Sequence, residues 1–133
     1  MRLAELVLPS DAMVAMTVFD FDTGPAGEYS ESLTIPEYAY FKTPLRSSEG
    51  GNVPTTVYAN SATRTFTGTG VGTVDDSLDL PVGPQQLTDE QASKGVQFFF
   101  RPRLGYIEAT YSVSTSEQVR ACRARTWRRG HAM

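Results

Sequence analysis

One cysteine and one histidine in 133 residues remove several chemistries at the outset. Cys122 has no second thiol for an intrachain disulfide. A structural zinc site needs four ligands, and Cys122 with His131 supplies two. Histidine-centred triads fail for the same shortage. No cofactor or metal is expected. Long apolar runs are missing too, and no stretch approaches the ~20 residues that span a bilayer. The opening residues place Glu5 inside a short apolar run that Pro9 ends, which is not a secretory signal. The expectation is cytoplasmic synthesis without a signal peptide and no membrane partner.

The residues present divide the chain into short runs. Eleven glycines, eight prolines and abundant Thr and Ser favour strands and turns over helices. Met13 to Phe21 reads as a strand with Thr17, Phe19 and Phe21 on one face, stopped by Thr23-Gly24-Pro25. Further runs follow at Ser32 to Ile35, Tyr38 to Phe41 and Thr55 to Tyr58. Thr88-Asp89-Glu90-Gln91 offers a capping box, which predicts one short helix near 88–94 stopped by Gly95. Val96 to Phe100 reads as a strand buried on both faces. Tyr106 to Ser114 alternates, with Ile107, Ala109, Tyr111 and Val113 facing one way, and the two runs are expected to pair as a hairpin. The sum is an all-β chain of about seven or eight short strands, an antiparallel β-sandwich or jelly-roll-like fold with extended terminal arms. The predicted division is an N-terminal arm over 1–12, a β-rich domain over 13–116 and a basic C-terminal arm over 117–133.

From Thr63 to Val74 the odd positions are β-branched, and Gly68, Gly70 and Gly72 fall on the other face. Three successive bare positions weaken a lone strand, so that face calls for a closely packed neighbour, which predicts contact with another copy or subunit. The threonine row invites an ice-binding reading, but one row is ordinary strand composition. The glycines open no helix and precede no Lys-Ser, so they form no phosphate loop. Asp75, Asp76 and Asp79 lack calcium-loop spacing and are read as a solvated loop.

Charge is unevenly spread. Residues 1–100 hold 13 acidic and 5 basic side chains, whereas 101–133 hold 7 arginines against Glu108 and Glu117. Arg120, Arg123, Arg125, Arg128 and Arg129 surround Trp127, the one tryptophan. This segment is the candidate partner-binding site, with Trp127 as apolar anchor and the arginines on carboxylates of a neighbouring subunit. Nucleic acid is the alternative partner, through phosphate contacts and stacking.

Two short motifs resemble known families. Asp20-Phe21-Asp22 resembles the D-x-D start of haloacid-dehalogenase-type phosphotransferases, with Thr23 and Gly24 in reversed order. Asp22-Thr23-Gly24 resembles the catalytic triplet of aspartic proteases, which would make Asp22 the residue of a dimeric hydrolase. Against both stands a plain turn, in which the Asp22 carboxylate accepts backbone amides. The general character is similar to small β-rich phage and virus structural proteins. The expected function is therefore a non-enzymatic component of a larger assembly such as a virion, a capsid-decorating or tail accessory protein. A β-sandwich ligand- or carbohydrate-binding module using Tyr38, Tyr40, Tyr58 and Tyr106 is the alternative, and the Asp22 hydrolase the second.

Overall fold

The computed structural model describes residues 9–73, 86–101 and 106–115, with the backbone of 125–126. Among the described residues eight strands form two antiparallel sheets. β1 (Val14–Val18), β3 (Tyr40–Lys42) and β6 (Val96–Phe100) make a three-stranded sheet in the order β1-β6-β3. β2 (Tyr29–Thr34), β4 (Val57–Asn60), β5 (Thr65–Gly68), β7 (Thr110–Thr115) and β8 (Arg125–Thr126) make the other, ordered β4-β5-β2-β7-β8. The chain is all-β and sandwich-like, with one helix, α1 (Asp89–Ser93).

Register assigns each side chain to a face, because cross-strand partners share one. Val14, Met16 and Val18 oppose Phe100, Phe98 and Val96, and Phe41 opposes Phe98 from the other side. In the larger sheet Leu33 pairs with Phe66 and Tyr111. Val96, Phe98 and Phe100 from one sheet meet Leu33, Val57 and Phe66 from the other, with Phe21 and Ile35, in one buried cluster. The seam is aromatic. Phe66 sits edge-on to Phe98 at 4.7 Å and to Phe41 at 4.8 Å, and Tyr38 closes the group beneath Arg64. Edge-to-face pairs add a directional term to burial, which fixes how the sheets seat on each other.

The helix forms as its signature dictates. Thr88 Oγ1 accepts from Gln91 N, and Gln91 Oε1 accepts from Thr88 N at 3.1 Å. Asp89 and Glu90 occupy the first turn, where acidic groups complement the helix dipole.

Four expectations give way. The predicted hairpin does not form: β6 pairs with β1 and β3, and β7 with β2 and β8, so the two runs belong to different sheets. Phe98, at the centre of the aromatic seam, holds β6 in the smaller sheet. The first strand ends at Val18, because Asp20 adopts φ 66° and turns the chain before Phe21. β6 is buried on one face only: Val96, Phe98 and Phe100 are inside, while Gln97 and Phe99 are half-buried on the outward side. The threonine stretch likewise is not a single strand, since β5 stops at Gly68 and Val71 makes only an isolated bridge to Thr23.

Candidate functional site

The Asp22 segment and the glycine face prove to be one structure. Thr23 N donates to Gly70 O at 2.8 Å, Gly72 N donates to Thr23 O at 2.9 Å, and Glu31 N donates to Asp22 O at 3.1 Å. This stitches residues 22–24 between β2 and the stretch after β5. A Cβ on Gly68 would stand 2.6 Å from Asp22 N and 2.7 Å from Phe21 C. One on Gly72 would meet the Asp22 carboxylate itself, and one on Gly70 would meet Thr56 Oγ1 at 2.9 Å. Within the described residues, the close neighbour that the bare face calls for is the chain's own segment.

Asp22 is 9% exposed, and its carboxylate takes the Tyr29 hydroxyl as a hydrogen-bond donor. The negative charge of Asp22 raises the Tyr29 pKa first, burial and Glu31 adding to it. Tyr111 donates to Glu31, and burial, then that bond and the Glu31 charge, raise its pKa as well. An aspartate so enclosed has the surroundings of a structural acceptor.

A different feature dominates the outside of the larger sheet. Register lines up Asn60, Thr65, Thr34 and Thr110 in one row across β4, β5, β2 and β7. Tyr58, Thr67, Ser32 and Ser112 form the next row, and Ser30 pairs with Ser114 in a third. Neighbours bond laterally: Ser32 to Thr67 at 3.0 Å, Thr34 to Thr65 at 2.8 Å, and Ser30 Oγ to Gly68 O at 2.8 Å. Eight Ser and Thr side chains pave this face, and none of its described positions carries a charge.

The outward face of the smaller sheet is aromatic. Tyr40 stacks on Phe99 at 4.4 Å and 14°, and Lys42 Nζ lies 5.3 Å from the Phe99 centroid. Gln97 Nε2 donates to Thr17 Oγ1 beside them.

The proposed tyrosine platform is dispersed. Tyr38 is half-buried in the seam, Tyr40 and Tyr58 lie on opposite outward faces, and Tyr106 precedes β7 at 59% exposure. Arg120, Arg123, Trp127, Arg128 and Arg129, like Asp75, Asp76 and Asp79, lie outside the described residues. Only the backbone of Arg125 is described, paired with Tyr111. The hydroxyl rows are absent from the sequence-derived candidates, although Ser30, Ser32 and Thr34 repeat at a period of two, as do Thr110, Ser112 and Ser114.

No family model, curated protein or solved structure matches this chain.

Proposed function

We propose that this protein is a non-enzymatic component of a larger assembly, docking through the hydroxyl-paved face of its five-stranded sheet. The observation that carries this reading is the uncharged hydroxyl array on β5, β2 and β7, bonded laterally between β2 and β5. Outward sheet positions ordinarily include charges that discourage unwanted association, and here they are hydroxyls, half-buried except for the exposed Ser114. Short side chains lose little rotamer freedom on burial. Each hydroxyl donates once and accepts twice, so a bonded Ser32–Thr67 pair keeps capacity for a partner.

Area sets the strength. Four strands about 4.8 Å apart, each about five residues long, present roughly 300 Å². A stable interface buries about 800 Å² per partner, so this face alone makes a weak contact that repetition in an assembly, or a second contact, must reinforce. The basic segment from Arg120 to Arg129 is the natural second contact, on a neighbouring subunit or, as the alternative, on nucleic acid. A virus or phage particle, with the protein as a decorating or tail accessory subunit, is the assembly that matches its character.

Light scattering on the full chain, from micromolar to millimolar concentration, tests the reading. Mass should rise with concentration, and the double variant Ser32→Lys, Thr67→Lys should remain folded and monomeric. A parent chain that stays monomeric throughout, or a variant that associates like the parent, overturns it.

A further inference from the structure

At one end of the smaller sheet's outward face Ser10, Asp11, Met13, Tyr40 and Arg101 border an open groove of about 400 Å³. We propose that this groove binds a neutral oligosaccharide, with the Tyr40 ring as its stacking platform.

The platform is built before any ligand arrives. Tyr40 is 46% exposed, yet its plane is held by the parallel stack on Phe99, a direct cross-strand neighbour on the central strand β6. A ring fixed in this way loses little freedom on binding, which is the usual penalty for an exposed side chain. The C–H face of a sugar packs on such a ring as an apolar surface. Met13, 39% exposed, extends the apolar border.

Hydrogen-bonding groups converge on the same space. Ser10, Asp11 and Arg101 make no side-chain hydrogen bond or ion pair among the described residues, so their capacity is uncommitted. A carboxylate accepts from two adjacent sugar hydroxyls, and a guanidinium donates in a fork to neighbouring ring oxygens. The chemistry also selects against other ligands. Asp11 would oppose a phosphate or uronate carboxylate drawn to Arg101, and Arg101 would oppose a cation drawn to Asp11. Balanced charge with an aromatic face suits a neutral ligand rich in hydroxyls, and the volume lies within the range of small-molecule sites. β-1,4-linked glucose or N-acetylglucosamine presents the flattest C–H faces, so these chains are the fitting class.

The groove lies on the sheet opposite the hydroxyl rows, so this proposal goes beyond the docking role and stands or falls separately. Together they describe a subunit that joins an assembly by one face and meets a glycan surface with the other.

The test is calorimetric titration of the full chain with cellohexaose, chitohexaose and, as the anionic comparison, hexagalacturonate. At least one of the two neutral hexasaccharides should bind, and hexagalacturonate should bind more weakly. Tyr40→Phe should retain affinity, because the stack survives, whereas Tyr40→Ala should lose roughly tenfold. Asp11→Asn, at an exposed position that leaves the stack untouched, should weaken binding several-fold. Tyr58→Ala, on the other sheet, should change nothing. Absence of binding by both neutral sugars, equal affinity in the parent and Tyr40→Ala, or tighter binding of hexagalacturonate would each overturn the proposal.

Discussion

On the outward side of the three-stranded sheet, Phe99 stands on the central strand with Tyr40 stacked against it and Lys42 alongside. On the outward side of the five-stranded sheet, the central strand β2 carries Ser30, Ser32 and Thr34, and hydroxyls flank it on both neighbours. Both sheets turn large apolar side chains inward to the same seam, yet they finish their outer surfaces with opposite materials. The narrow sheet covers its central strand with one fixed ring pair and leaves a groove beside it. The wide sheet covers its centre with short hydroxyl side chains, paired with one another between β2 and β5. The two faces share a core and differ in surface chemistry, rings with an adjoining groove on one and a hydroxyl field on the other.

That division can be broken first at the seam on which both faces depend. Phe66 is 1% exposed and edge-on to Phe98 and Phe41, so Phe66→Ala should cost about 3–5 kcal/mol and remove both faces together. Denaturant unfolding measures the loss. Gly68→Ala acts at the end of β5, driving a Cβ into the backbone of Phe21 and Asp22. The expected cost is about 1–3 kcal/mol. Thr88→Ala removes the helix cap, remote from either outward face, at about 1 kcal/mol by the same unfolding assay.

Tyr111→Phe should have the smallest effect at neutral pH, below about 1 kcal/mol, because the ring is half exposed and solvent screens its bond to Glu31. Its pH dependence is more informative. The folded-state pKa of Tyr111 is raised from 10.0, so the stability it confers is complete below that pH. That stability is lost as pH climbs through the raised value. Unfolding free energies measured from pH 9 upward should fall less steeply in Tyr111→Phe than in the parent. Tyr29, raised mainly by the charge of Asp22, supplies a remaining decline.

What could be read from the sequence was local. Thr88 and Gln91 are three residues apart, and the capping box they form needs nothing else from the chain. The apolar run from Val96 and the period-two pattern around Thr110 identify strands for a similar reason. Pairing was not local, and there the reading failed. Val96 to Phe100 and Tyr106 to Ser114 are neighbours in sequence, but the ring contacts of Phe98 hold the first in one sheet while Leu33 and Tyr111 hold the second in the other. Asp22 and Gly72 stand 50 residues apart in unrelated local patterns, and only the fold makes them one contact. The hydroxyl rows became visible only when register aligned three separate Ser and Thr alternations. The groove draws Asp11, Tyr40 and Arg101 from three distant segments, a juxtaposition no local pattern encodes.

On the proposed docking role, the hydroxyl face is where this protein meets its neighbours. Backbone amide chemical shifts of the full chain, recorded through a dilution series from millimolar to micromolar concentration, test it residue by residue. Concentration-dependent shifts should be confined to the rows of Ser32, Thr34, Thr65, Thr67, Thr110 and Ser112, with Ala15, Phe99 and Lys42 unmoved. Shifts centred on Ala15, Phe99 and Lys42, or no shift anywhere across the series, would contradict it.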